Sequence, residues 1–177
     1  MAVIVIPKPA PSEYNPYYEK YVSKIAEGDV LALLQAQNEA TVRLLNKVPE
    51  SHAAFCYAPE KWSIKEVVGH LCDTERIMSY RALRIGRGDA TPLPGFEQDD
   101  YVQAAQFDSR TLADLVNEFQ LIRQATLALF RAFDETALLR TGTANNSPAS
   151  TRALAYIIAG HEKHHVQVLR ERYKVAG

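Results

Sequence analysis

Cysteine is scarce. Cys56 and Cys72 are the two in the chain, too few for a disulfide framework, so a reducing, cytoplasmic setting is expected. An excess of charge of one sign is also missing. Lys and Arg number 20 against 21 Asp and Glu, a formal net charge of −1. That balance gives no electrostatic footprint for a polyanion, and nucleic acid is not expected as a partner. No apolar run approaches the ~18 residues of a membrane helix, so no membrane partner is expected either. The sequence has no internal repeat, no low-complexity tract and no convincing run of alternating or β-branched residues, which leaves little material for a sheet. What remains is an ordinary globular composition, 47% hydrophobic and 23% charged over 177 residues. That is about one domain's worth of chain, able to fold alone or as a simple homo-oligomer.

Helical periodicity dominates. The first pattern starts at Asp29, a plausible N-cap, carries Val30, Leu33, Leu34, Leu44, Leu45 and Val48 and stops at Pro49. A second begins at Ser63, which forms a capping box with Glu66, and runs through Ile64, Val68, Leu71, Met78 and Ile85 to the glycines at 86 and 88. A third spans about Thr111 to Phe133, with Leu112, Leu115, Phe119, Ile122 and Phe130 on one stripe. The fourth follows Ser147-Pro148-Ala149-Ser150 and extends to roughly Tyr173. These patterns predict an all-α fold, a four-helix bundle over residues 29–177. Residues 1–28 precede it as an extended N-terminal arm with a short helical segment around Tyr17 to Ile25. The apolar stretch Ala2 to Ile6 has no basic residue before it and is followed at once by Pro7, Pro9 and Pro11, so it reads as an arm rather than a leader. Such an arm can lie across its own bundle or add to a partner subunit.

The connection from Gly86 to Arg110 is long, with Gly88, Pro92, Pro94, Gly95 and the acids Asp89, Glu97, Asp99 and Asp100. Connections of this length are often functional, and a lid over a site is the expectation, with Asp99 to Gln106 able to form a short helix.

Three of the five histidines fall in His161-Glu162-Lys163-His164-His165, inside the fourth helix. On a helical wheel His161 and His165 lie on the midline of the apolar stripe, one turn or about 6 Å apart. His164 is on its shoulder. Two imidazoles on a buried face are costly unless each finds partners. A divalent cation bound by both would meet that need, and the i, i+4 spacing lets them converge on one ion. The alternative is a pair of core histidines bonded to hydroxyls or carbonyls. His70 of the second helix borders the core rather than occupying its centre, and His52 reads as a loop residue.

The segment Lys61-Trp62-Ser63-Ile64-Lys65-Glu66-Val67-Val68-Gly69-His70-Leu71, taken with His161-x-x-His164-His165-x-Gln167, resembles the DinB-like superfamily from about Asp29 to Tyr173. The resemblance implies a four-helix bundle, often dimeric, with one divalent metal (Zn, Ni or Fe) per chain held by one histidine of the second helix and two of the last. By motif position these are His70, His161 and His165, and His164 is not a ligand. The family includes thiol-dependent S-transferases and isomerases as well as hydrolases. The expected partners are therefore a small-molecule substrate, a low-molecular-weight thiol and a second copy of the chain.

Three neutral imidazoles leave a divalent ion with its full formal charge and a position for water or substrate, the pattern of catalytic rather than structural zinc. Hydrolysis and thiol transfer are both accessible to such a site. The expectation is a metal-dependent enzyme, a thiol-dependent transferase or a hydrolase. The rival is a non-catalytic metal-binding or stress-associated interaction protein. His161-Glu162-x-x-His165 also spells HExxH, the zinc-protease helix signature, but only twelve residues follow it and no strand region is evident to receive a peptide. Asp73, Glu162 and His164 are candidates to orient the ligands, with Asp73 otherwise facing water and Glu66 assigned to its capping box. Arg81 and Arg84 are candidates to hold an anionic substrate beside the 86–110 connection, and the alternative for them is a solvated face. Cys72 reads as a buried small hydrophobe and Trp62 as a packing anchor.

Overall fold

The computed structural model describes residues 5–176; Met1 to Ile4, the greater part of the apolar start of the arm, lie outside the described residues, as does Gly177. Four long helices form the bundle: α2 (Val30–Leu45), α3 (Ile64–Gly86), α5 (Leu112–Arg131) and α7 (Thr151–Glu171). Shorter ones are α1 (Glu19–Val22), α4 (Gln98–Ala105) and α6 (Glu135–Leu139). Each long helix starts where a side-chain oxygen can accept from an otherwise orphaned backbone N–H. Asp29 accepts from the N–H groups of Leu31 and Ala32, Thr111 from Asp114, and Ser150 from Ala153. The Ser63–Glu66 capping box closes from both sides, at 3.1 and 2.7 Å. α3 packs on α5 and α7, and α2 packs on the same two, so each of these helices lies against two neighbours around the core.

Among the described residues the departure from an all-helical reading is a hairpin, β1 (Thr141–Ala144) against β2 (Ser147–Ser150), just before α7, with a single bridge from Leu93 to Ala144 beside it. Its strands are four residues each and carry Gly, Pro, Thr and Ala, too short to show alternation. Asn145 and Asn146 make the turn with φ of 50° and 56°, the left-handed pair that a tight hairpin requires and that asparagine tolerates.

The arm lies on its own bundle. Ile6 is fully buried, and its carbonyl accepts from the Tyr156 hydroxyl at 3.0 Å. Arg152 grips Glu13 with two bonds of 2.8 and 2.5 Å, and Asn15 donates to Ser147 at 2.6 Å. α1 then presses directly on α7. A Cβ at Gly160 would stand 2.2 Å from the Tyr21 carbonyl oxygen, so only glycine permits that approach.

A polar belt divides the core. Leu34, Met78, Leu127, Phe130 and Leu154 pack toward one end, and Leu44, Val68, Leu115, Val116 and Leu169 toward the other. Between them stand Thr41, Glu75, Arg123 and Glu162, one from each bundle helix, with His70 and His161 at the same level of the sequence pattern. Among the described residues no helix is long and apolar enough to cross a membrane.

Candidate metal centre

His70 reaches the belt from α3, and His161 and His165 reach it from successive turns of α7. One nitrogen from each of the three lies within 4.8 Å of the others. The ring centroids are 4.9 Å apart for His70 and His161, 4.9 Å for His70 and His165, and 4.5 Å for His161 and His165. Nε2 of His70 and Nε2 of His161 approach to 3.0 Å. His70 and His161 are buried, at 3% and 7% exposure, and His165 is half-buried. The wheel's placement of His70 at the border of the core is therefore corrected. Trp62, 4.6 Å away centroid to centroid, covers the His70 ring, and Tyr21 covers His161 edge-on at 5.3 Å.

Burial disfavours the protonated imidazole. It holds His70 down to about 4. His165 is brought to about 3 by burial and then by the nearby His70, His164 and Lys20, and His161 is lowered for the same kinds of reason. At neutral pH all three rings are uncharged and offer lone pairs to one region. That donor set is chemically suited to a divalent cation of borderline softness.

The cluster opens to two clefts. One, of about 320 Å3, has Tyr17, Tyr21, Met78 and Phe96 among its walls and touches His70 and His161. The other, of about 360 Å3, lies by Tyr57, Trp62 and Tyr173 and touches His164 and His165. Gln98 and Asp99, at the start of α4, border both. The 86–110 connection thus supplies a wall of the site, and it is tied down. Leu93 donates to the Thr143 carbonyl of β1 and accepts from the N–H of Asn145 in the hairpin turn, at 2.9 Å each, and Arg81 donates to the Pro94 carbonyl at 2.6 Å.

The other sequence candidates fall in different places. Arg81 is buried, not on a solvated face; it braces Pro94 and lies beneath Phe96. Arg84 is bonded to Asp89 and Tyr80, and neither arginine is among the residues lining these two clefts. Asp73 turns to Arg76 at 3.8 Å and does not orient His70, whose Nδ1 lies 3.5 Å from the Thr74 hydroxyl. His164 stands edge-on to Tyr21 and His165.

Glu162 lies inside the belt. It is 1% exposed, accepts from Thr41 at 2.6 Å and from Arg123 at 2.7 Å. Burial raises its carboxyl while Arg123 and Thr41 pull it back. Clamped in this way, it does not present the free base that an HExxH protease uses. Arg123 and Glu75 complete the belt without a motif that marks them in the sequence. Arg123 is fully buried and holds Glu75 by two bonds, 2.8 and 2.7 Å, while donating to the Leu34 carbonyl at 2.9 Å. Their signal is a charged residue inside an apolar stripe: Arg123 between Phe119 and Leu127, Glu75 between Leu71 and Met78.

A family model described as the DinB superfamily matches residues 33–169. No curated protein matches the chain by sequence. Solved structures are similar, among them the following three. YfiT from Bacillus subtilis, described as a probable metal-dependent hydrolase with an unusual four-helix bundle topology, superposes with a TM-score of 0.68 at 16% identity over 96% of this chain and 94% of that one. A mycothiol-dependent maleylpyruvate isomerase gives 0.65 at 14% identity, over 77% of this chain and 58% of its own. A DinB-like protein from Bacillus subtilis gives 0.58 at 20% identity, over 79% and 85%. At these identities the likeness establishes the shared fold.

Proposed function

The chain belongs to the DinB superfamily, and from that premise we propose that it is a metal-dependent enzyme acting on a small molecule, with one divalent ion held by His70, His161 and His165. The observation that carries this reading is the meeting of three neutral imidazoles, contributed by stretches 91 residues apart, at the floor of two clefts. Three side-chain nitrogens are one fewer than a four-coordinate ion takes. When bound, the ion would supply a Lewis acid that lowers the pKa of water or a thiol, so that its proton is lost to solvent near neutral pH.

The chain's own residues then bind and orient. Tyr17, Met78 and Phe96 offer an apolar and aromatic wall to the organic part of a reactant, and Arg81 fixes that wall by holding Pro94. Hydrolysis or thiol-dependent transfer is the reaction class. Similarity to a probable metal-dependent hydrolase and to a mycothiol-dependent isomerase supports both branches. The arm through residue 28, the bundle domain at 29–177, a homodimeric state and a cytoplasmic setting complete the proposal; the free, exposed Cys56 agrees with the last.

The test is ligand exchange. Cobalt-loaded protein is titrated with azide and with 2-mercaptoethanol. A catalytic site changes its visible spectrum with at least one of them, whereas a spectrum indifferent to both indicates a saturated ion and a non-catalytic protein.

A further inference from the structure

Behind the triad lies a small chamber, about 10 Å3, bounded by Leu71, Thr74, Glu75, Ile158, His161 and Glu162. That volume is about what one water molecule needs, provided it also finds two to four polar partners. The partners are at hand. Thr74, Glu75, His161 and Glu162 are all buried, and Arg123 holds both carboxyl groups in place from a single guanidinium. Each carboxyl oxygen already accepts one bond and retains a second acceptor direction.

His161 supplies the missing donor. Among the described residues its ring has one nitrogen neighbour at hydrogen-bond distance, Nε2 of His70, reached by its own Nε2. Of the two facing Nε2 atoms one carries the shared proton. With the Thr74 hydroxyl donating to His70 Nδ1 at 3.5 Å, His70 donates from Nε2, and His161 accepts at Nε2 and carries its own proton at Nδ1. A buried N–H needs an acceptor.

We propose that one water in this chamber accepts the Nδ1–H of His161 and donates to Glu75, so that the Arg123–Glu75–Glu162 cluster is a positioning device that fixes the tautomer and orientation of His161. Arg123 acts through Glu75, and Glu75 acts through the water. The belt that ties the four helices together is thereby also the support of the site. What the oriented ring is for rests on the metal-binding reading above; the water and the tautomer do not.

The experiment uses the full chain with 15N-labelled histidine. In metal-free wild type, long-range proton–nitrogen correlation is expected to show His161 neutral with its proton on Nδ1. A proton on Nε2 would overturn the proposal without reference to any metal. The variant Glu75→Gln keeps the size and one acceptor of the side chain. If it melts cooperatively, its cobalt affinity is expected to fall about 10- to 100-fold relative to wild type, and an affinity within twofold would overturn the proposal. If it does not fold, the wild-type tautomer measurement decides. Wild type that binds no cobalt would count against the metal reading alone.

Discussion

Nε2 of His70 lies 3.0 Å from Nε2 of His161. Two nitrogens each bonded to one tetrahedral zinc at about 2.0–2.1 Å would be about 3.3 Å apart. The bundle therefore brings these two rings to nearly the separation that a shared ion imposes. Burial keeps them uncharged, so the approach costs no repulsion between imidazolium ions.

That neutrality has a pH signature. Burial lowers His70 from its ordinary 6.5 to about 4 and His165 to about 3. Between those values and 6.5 the unfolded chain binds more protons than the folded one, so stability rises with pH across this window and is level with respect to these groups above it. The melting temperature of metal-free protein is expected to fall as pH drops from 6.5 toward 4. The double variant His70→Gln/His165→Gln should show a shallower slope, and equal slopes would count against buried neutral rings.

Arg123 balances two buried carboxyl groups. Replacing it, as in Arg123→Met, leaves them facing each other without a counter-charge. Breaking a buried ion pair in this way costs about 3–5 kcal/mol. Chemical denaturation should show a loss of that order, and a change under about 1 kcal/mol would mean that the belt contributes little to folding.

Gly160 sets the distance between α7 and the arm. The clash of an added Cβ is with backbone, the Tyr21 carbonyl at 2.2 Å, so no side chain can rotate to relieve it. Gly160→Ala should destabilise by about 1–3 kcal/mol and expose residues 5–28 to limited proteolysis. An arm as protected as in wild type would refute this packing.

Arg81 reaches out of the core to the Pro94 carbonyl. Arg81→Leu keeps the buried stem's apolar bulk and removes the tie. Proteolytic cleavage within residues 86–110 is then expected to quicken while the helical circular dichroism stays unchanged. An unaltered cleavage rate would show that Leu93 and β1 hold this wall by themselves.

The sequence patterns and the structure agree where local chemistry decides. Asp29, Ser63, Thr111 and Ser150 each cap the helix that periodicity marks, because a cap is a matter of one side chain and a nearby N–H. His161 and His165 are legible together because a single helix fixes their spacing. The hairpin was hidden by strands of four residues, its Asn-Asn turn being the only marker. The burial of Arg81, Arg123 and Glu75 is not legible in the sequence, for one reason. Their burial depends on partners from other parts of the chain, Pro94, Leu34 and each other, and no periodicity within one helix records such a partner.

Elemental analysis of protein purified without added metal, alongside His161→Ala and His165→Ala, tests the shared-ion account most directly. Wild type is expected to carry close to one divalent ion per chain, and both variants to lose it while keeping their helical signal. Metal-free wild type that takes up none on reconstitution, or folded variants that retain the full complement, would contradict it.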